Sequence, residues 1–213
     1  MINQKVGLCN EGMVEPSTES KPKRIGFFGG SFDPIHIGHV SLAKQAIKMA
    51  KLDTLLFCPA YHAPLRSEKP FFSTHTRLKI LEKITKENPR FEICKLEIDK
   101  QKICFTYETI KEVQLNCPSS EIMIIVGTDQ FNRLKEWKFH NELAQRCQFL
   151  VFSRTVTEVN PPSIPHLSYK LMENELINCS STEIRNRLKS GKSVSHMIPP
   201  VAYPYIKQKT ISS

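Results

Sequence analysis

The chain has 213 residues, and its composition, 40% hydrophobic and 24% charged, is ordinary for a globular protein. Its 30 basic and 21 acidic residues give a net charge of +9, which suits a protein whose partners carry phosphate groups. No apolar run could span a membrane, and seven cysteines without a C-x-x-C pair argue against both a disulfide framework and a zinc site.

The beginning of the chain differs in character from the rest. Residues 1–22 are polar and have few apolar anchors, so we predict a flexible N-terminal tail there. This stretch also lacks the hydrophobic segment of a signal peptide, and we expect a cytoplasmic protein. Residues 23–213 are predicted to form a single domain with a C-terminal helical part, which is broken or kinked near Pro204.

Strands and helices alternate through this domain. Apolar runs indicate buried strands at residues 24–28, 54–58, 91–98, 121–126, 148–153 and 176–179. Helical spacing and capping residues indicate helices between them, including residues 106–115 and 184–189. This alternation predicts an α/β fold, a Rossmann-like doubly wound parallel sheet with helices on both faces.

A glycine corner follows the first predicted strand. Gly29 and Gly30 lack a Cβ, so the backbone can turn tightly there and approach a ligand closely. The next helix then begins, and its N-terminal N–H groups and dipole favour an anion. His36 and His39 are three residues apart and share a face of its first turn. The corner therefore predicts a phosphate site, although an ordinary turn before a helix would use the same residues.

Three further stretches also follow predicted strands. They are the proline-rich loop of residues 59–72, the Gly127-Thr128-Asp129 segment, and the Ser180-Ser181-Thr182 cap. Because ligands of open parallel sheets bind at the carboxyl ends of the strands, we expect these stretches and the glycine corner to share one crevice. Arg185 lies on the first turn after the cap, where a guanidinium and N–H groups can together hold a polyphosphate.

Each of these residues also has a plain structural interpretation. Asp129 could be a helix N-cap, and Trp137, the only tryptophan, could be a core residue. Arg185 and Arg187 could belong to a solvated helix face. The sequence pattern by itself leaves these alternatives open.

Several motifs resemble those of one enzyme family. G-G-S-F-D-P-I-H-I-G-H at residues 29–39 resembles the signature of the nucleotidyltransferase superfamily, a glycine turn followed by H-x-G-H. The segments at residues 105–110, 126–143 and 179–194 are similar to elements of bacterial nicotinate-nucleotide adenylyltransferases. They are F-T-Y-E-T-I, V-G-T-D-Q-F-N-R-L-K-E-W-K-F-H-N-E-L and C-S-S-T-E-I-R-N-R-L-K-S-G-K-S-V. They occur in the family's order, and the resemblance covers roughly residues 24–206.

The resemblance implies a reaction and a set of site residues. AMP passes from ATP to nicotinate mononucleotide, which gives deamido-NAD and pyrophosphate in NAD biosynthesis, with Mg²⁺ accompanying ATP and no metal held by the protein. The mononucleotide's phosphate is the nucleophile, so catalysis is positioning and charge neutralisation. The implied catalytic residues are His36, His39 and Arg185. The implied ATP-binding residues are Gly29, Gly30, Ser31, Phe32, His36, Gly38, His39, Gly127, Asp129, Ser181, Thr182 and Arg185, and nicotinate mononucleotide is assigned to Arg66, Thr106, Tyr107, Trp137 and Lys138.

The chain departs from the family's sequence pattern in one loop, and two other functions are still compatible with the sequence. The family often has P-P-H-K in the loop after the second strand, where this chain has Ala63-Pro64-Leu65-Arg66. Arg66 can bind a phosphate, whereas Leu65 cannot replace a histidine's hydrogen bond. One rival is an adenylyltransferase of the same fold acting on nicotinamide mononucleotide or phosphopantetheine. The other is a nucleic-acid-binding protein, suggested by the +9 charge; it has no recognised module here, and we expect neither nucleic acid nor membrane as a partner.

Overall fold

The structure is a computed structural model that describes residues 22–153 and 158–210. The predicted tail, apart from residue 22, lies outside the described residues. The strands are β1 (Lys23–Gly30), β2 (Thr54–Pro59), β3 (Phe91–Ile93), β4 (Ser120–Gly127), β5 (Gln148–Phe152) and β6 (Ser168–Met172). The α-helices are α1 (Ile37–Met49), α2 (Thr74–Thr85), α3 (Leu96–Asp99), α4 (Thr106–Asn116), α5 (Thr128–Asn132), α6 (His140–Arg146), α7 (Ser181–Lys189) and α8 (Tyr203–Thr210). Short 3₁₀ helices occupy Leu134–Glu136 and Pro200–Ala202.

The six strands form one sheet in the order β3-β2-β1-β4-β5-β6, and every neighbouring pair is parallel. This is the strand order of a doubly wound Rossmann-like sheet, so the predicted fold class is confirmed. The order reverses between β1 and β4, and a crevice is expected outside the carboxyl ends of these two strands. Within the described ranges, no helix is long and apolar enough to cross a membrane.

Side chains that alternate along the strands supply two hydrophobic layers. On one face Phe28, Phe57 and Ile125 pack with buried residues of α1, α2, α7 and α8. On the other face Phe27 and Ile124 pack with residues of α4, α5 and α6. Both faces of the central strands are therefore covered, which explains why these strands have nearly continuous apolar sequences.

One predicted strand is too long, and another is wrong. The third strand contains only Phe91–Ile93, and residues 96–99 form α3 instead. The neighbouring strand β2 ends at Pro59, so β3 has little further backbone to pair with beyond the bond from Cys94 N–H to the Phe57 carbonyl. Residues 176–179 are not a strand; the place beside β5 is taken by β6, which starts eight residues earlier, at Ser168.

Smaller differences concern the C-terminal helices. Helix α7 begins at Ser181, three residues before the predicted start, because Ser180 is its N-cap and the Ser180 Oγ accepts a bond from Glu183 N–H at 3.1 Å. The last helix, α8, is not interrupted at Pro204. This proline is the second residue of α8, where the missing N–H would have no partner within the helix anyway.

Candidate active site

A cavity of about 890 Å³ lies at the carboxyl ends of β1 and β4, where the strand order reverses. All of the predicted site residues except Arg185 and Tyr107 line it. The residues lining it are Gly29, Gly30, Ser31, Phe32, His36, Gly38, His39, Arg66, Thr106, Gly127, Asp129, Trp137, Lys138, Ser181 and Thr182. The four stretches that follow predicted strands therefore do converge on one crevice.

The glycine corner differs in detail from its prediction. Gly29 and Gly30 are the last two residues of β1, and neither has a positive φ. The turn comes after them and contains Phe32, whose φ is 44°, and a cis peptide bond between Asp33 and Pro34. The two glycines instead leave the end of the strand without side chains, so that the cavity reaches the backbone of β1.

His36 and His39 lie together at the beginning of α1. His36 is the N-cap and is 7% exposed, and its ring centroid is 3.7 Å from that of His39. The Nδ1 of His39 accepts a hydrogen bond from the His36 backbone N–H at 3.3 Å, which assigns the proton of a neutral His39 ring to Nε2. Gly38 allows this packing, because a Cβ there would come within 3.1 Å of the His36 ring.

Asp33 joins the turn to several surrounding segments, although the sequence analysis gave it no role. Its side chain is 2% exposed and accepts hydrogen bonds from the N–H groups of Phe71 and Phe72, both at 2.8 Å. One carboxylate oxygen also lies 3.5 Å from Arg66 and 3.9 Å from Arg185. An aspartate three residues after Gly30 was the available signal, and its importance depends on contacts with residues 33 to 152 positions away.

Helix α7 docks on the same turn. Ser181 Oγ donates to the Pro34 carbonyl at 2.9 Å, and Arg185 donates to the Asp33 carbonyl at 2.8 Å and to Thr182 Oγ1 at 3.0 Å. Burial lowers the pKa of Arg185 and the nearby Arg66 lowers it further, while Asp33 opposes both. The N-terminus of α7 and a half-buried guanidinium thus stand beside the end of β1, as a polyphosphate site requires.

Aromatic residues gather at the other side of the cavity. Trp137 is half-buried: it packs against the core layer of α4–α6 and also lines the cavity. Lys138 Nζ lies 4.4 Å from the centroid of the Phe105 ring, beside Thr106 at the start of α4. The Tyr107 ring packs instead on Phe139, 5.2 Å between centroids, and Tyr107 does not line the cavity.

Asp129 is not the cap of the helix that follows β4. Gly127 is the N-cap of α5, and Asp129 is an exposed residue of its first turn that lines the cavity. The N-cap interpretation of Asp129 is therefore wrong. Its carboxylate accepts a bond from Gln130 Nε2 at 3.3 Å and otherwise faces the region where a ligand would lie.

Glu97 is a buried acid in the cavity wall that the sequence analysis did not identify. It is 7% exposed and accepts a hydrogen bond from Thr109 Oγ1 at 2.9 Å. Burial raises its pKa above the ordinary glutamate value, and the Thr109 bond only partly offsets this. Glu97 therefore fixes α3 against α4, whose first turn carries Thr106.

Comparisons with known proteins agree with this arrangement. The sequence model of the cytidylyltransferase-like family matches residues 27–187. A Staphylococcus epidermidis protein named "Probable nicotinate-nucleotide adenylyltransferase" is 34% identical over 187 residues, covering 88% of this chain and 96% of that protein. A protein of the same name from Methylacidiphilum infernorum is 31% identical, covering 88% and 91%. The chain belongs to the nicotinate-nucleotide adenylyltransferase family.

Solved structures agree on the fold of this family member. The nicotinic acid mononucleotide adenylyltransferase of Plasmodium falciparum, solved in complexes with APC and with NaAD, superposes with a TM-score of 0.72 in both cases. The sequence identity is 17%, and 89% of this chain and 96% or 97% of the Plasmodium chain are covered. At that identity the likeness concerns the architecture: a parallel sheet with its crevice between β1 and β4.

Proposed function

We propose that this cavity is where the chain, as a nicotinate-nucleotide adenylyltransferase, transfers AMP from ATP to nicotinate mononucleotide and releases pyrophosphate. Family membership supplies the reaction, which makes deamido-NAD in NAD biosynthesis. The observation that supports the location is that cationic and N–H groups surround the end of β1, while Trp137 and Phe105 line the other side of the same cavity. One cavity thus offers a phosphate side and an aromatic side.

We assign ATP to the phosphate side. His36 and His39 at the start of α1, with Ser181, Thr182 and Arg185 of α7, are the groups that neutralise the α-phosphate and the leaving pyrophosphate. Donors preorganised in this way stabilise charge that develops in the transition state. No general base is required, because the attacking phosphate of the mononucleotide is already ionised. Gly29, Gly30, Ser31, Phe32, Gly38, Gly127 and Asp129 complete the proposed ATP contacts along the cavity wall.

We assign nicotinate mononucleotide to the aromatic side. The Trp137 ring offers a face on which the cationic pyridine ring can stack. Lys138 and the N-terminus of α4 at Thr106 can attract the carboxylate, and Arg66 can hold the phosphate in place of the family's lysine. Tyr107 was predicted for this role as well, and its packing on Phe139 supports an indirect contribution through the first turn of α4.

Mg²⁺ is best treated as part of the ATP substrate. Among the described residues, no group of three or more histidine, cysteine, aspartate or glutamate side chains could hold a metal ion. The buried Asp33 carboxylate is already bonded to two backbone N–H groups. We propose that Mg²⁺ accompanies ATP as part of the substrate, where its charge would help to neutralise the leaving pyrophosphate. Use of ATP also supports the proposed cytoplasmic location.

An acceptor assay tests the function. The purified chain is incubated with Mg²⁺-ATP and, separately, with nicotinate mononucleotide, nicotinamide mononucleotide or phosphopantetheine, and pyrophosphate release is followed. We expect kcat/KM to be highest with nicotinate mononucleotide and deamido-NAD to be the product. A higher kcat/KM with either of the other acceptors would contradict the proposed substrate.

A further inference from the structure

Arg77 of α2 is a charged side chain inside the hydrophobic core. It is 1% exposed, and it neighbours the core layer formed by α1, α2, α7 and α8. Burial lowers its pKa, the nearby Asp33 raises it, and Arg66 lowers it again. A buried charge is costly, and an apolar residue of similar volume would avoid that cost. The hydrogen bonds of the guanidinium must therefore offset the cost of burying its charge.

The guanidinium connects two segments that bound the cavity. Its Nη1 donates to the Ser31 carbonyl and to the Ala60 carbonyl, both at 2.7 Å. Its Nη2 donates to the Tyr61 carbonyl and to Thr74 Oγ1, both at 3.3 Å. Ser31 belongs to the turn after β1, whereas Ala60 and Tyr61 begin the loop after β2, so a single nitrogen atom spans the two segments.

The two segments serve the two proposed substrate sides. The turn after β1 is held by Arg185 and Ser181 of α7 on the ATP side. The loop after β2 carries Arg66, which we assign to the mononucleotide phosphate, and Ala63 and Leu65 also line the cavity. Asp33 adds a reciprocal link, because its carboxylate accepts the N–H groups at the far end of the same loop.

We propose that Arg77 is a positioning residue for adenylyl transfer, and that it sets the spacing between the ATP-binding turn and the loop that holds the mononucleotide phosphate. The inference rests on the proposed function. Arg77 does not line the cavity, and both of its terminal nitrogens donate to groups of this chain. It acts through the Ser31 and Ala60 carbonyls, so its loss displaces the attacking phosphate from the α-phosphate without removing a binding group of either substrate.

The test compares Arg77→Gln and Arg77→Lys with Ile84→Ala, a buried core position on the same helix that does not line the cavity. For each variant kcat is measured well below its melting temperature, and the dissociation constants of ATP and of nicotinate mononucleotide are measured separately by calorimetry. We expect Arg77→Gln to lower kcat by about 100-fold, because a misplacement of about 1 Å has that effect, while each dissociation constant changes by less than about threefold. Ile84→Ala should lower the melting temperature and leave kcat unchanged.

Arg77→Lys is expected to be intermediate, with a loss in kcat of about tenfold. A lysine ammonium can still reach the Ser31 carbonyl, the Ala60 carbonyl or both. It has no second nitrogen to donate to Tyr61 and Thr74. If Arg77→Gln does not fold, Arg77→Lys decides the question by the same measurements. The proposal is overturned if the Arg77 variant keeps a kcat within about threefold of wild type. It is also overturned if its dissociation constants rise as much as its kcat falls, or if Ile84→Ala loses kcat to the same extent. An inactive wild-type chain would instead contradict the proposed function.

Discussion

At the scale of single residues, the geometry of His39 gives it a defined chemical state. Its Nδ1 accepts a hydrogen bond from a backbone N–H, so the proton of the neutral ring lies on Nε2, which is therefore a donor. The ring is held between His36 and Phe32, at centroid distances of 3.7 Å and 5.3 Å, and it lines the cavity. Such a preorganised donor is useful where negative charge develops during phosphoryl transfer.

We predict that His39→Ala lowers kcat by about 100- to 1,000-fold, the usual effect of removing one transition-state donor, while the fold is retained. Steady-state kinetics and a thermal melt make the measurement. His75→Ala is a suitable control, because His75 is exposed on α2. Near-normal turnover of His39→Ala would remove this residue from the catalytic group.

Trp137 is the residue for which the structural and functional interpretations differ most. It packs partly on the core and also lines the cavity, so both interpretations have support in its contacts. The ring is half-buried, and its sequence neighbours Lys135, Glu136 and Lys138 are exposed. This combination is typical of an aromatic platform beside a ligand rather than of a filled core position.

We predict that Trp137→Ala leaves the chain folded, keeps its affinity for ATP, and weakens nicotinate mononucleotide binding by about 1–2 kcal/mol, roughly 5- to 30-fold. Because this is the only tryptophan, its fluorescence in the wild type should be quenched saturably by nicotinate mononucleotide without ATP. An unquenched signal, together with a stability loss of about 3–5 kcal/mol in the variant, would identify Trp137 as a core residue.

At the scale of elements, the sequence correctly predicted the strands that are marked by long apolar runs. Strands β1, β2, β4 and β5 are buried on both faces, so their apolar sequences identified them within one or two residues at each end. Strand β6 is an edge strand with four of its five residues exposed, so it has no such run. Residues 176–179 are mostly apolar and were therefore predicted to be a strand. Ile177 and Cys179 line the cavity instead of packing in the sheet.

The candidate site was predictable where motifs carry it and unpredictable where it depends on long-range contacts. The glycines, the two histidines and the α7 cap were found because they are contiguous in sequence. Asp33, Glu97 and Arg77 were assigned no role, since their importance lies in bonds to Phe71, Thr109 and Ser31 that only the fold brings within reach. No periodicity distinguishes such residues from ordinary polar ones.

Helix α7 gives a prediction at this scale, because its cap and its phosphate site are adjacent. Ser180→Ala removes the bond to Glu183 N–H and should lower the free energy of unfolding by about 1 kcal/mol. Fraying of the first turn should also disorder Ser181 and Arg185, so we expect the KM for ATP to rise about fivefold and the KM for nicotinate mononucleotide to stay nearly constant.

Lys44→Gly provides the matched control. Lys44 is exposed in the middle of α1, and glycine there costs a similar free energy of unfolding, about 1 kcal/mol, without touching a cap. Its KM values should both stay at the wild-type level. If the two variants raised the KM for ATP equally, the effect would come from general destabilisation and not from the α7 N-terminus.

At the scale of the whole molecule, the cavity is bounded by segments attached to both core layers. The turn after β1 and α7 belong to the layer of α1, α2, α7 and α8, whereas Trp137 packs on the layer of α4, α5 and α6. The excess of basic residues is consistent with two substrates that both carry phosphate. Because the cavity joins both layers, a ligand bound on either side stabilises the fold as a whole.

We therefore predict that Mg²⁺-ATP and nicotinate mononucleotide each raise the melting temperature, by an amount equivalent to about 2.7 kcal/mol at a ligand concentration of 100 times Kd. Arg185→Ala should lose most of the shift caused by ATP and keep the shift caused by nicotinate mononucleotide, while Trp137→Ala should do the reverse. Differential scanning fluorimetry with an external dye measures both, since it does not depend on the tryptophan. The opposite losses follow only if the two residues serve separate sides of one cavity. Loss of both shifts in both variants would show that the assigned sides are wrong.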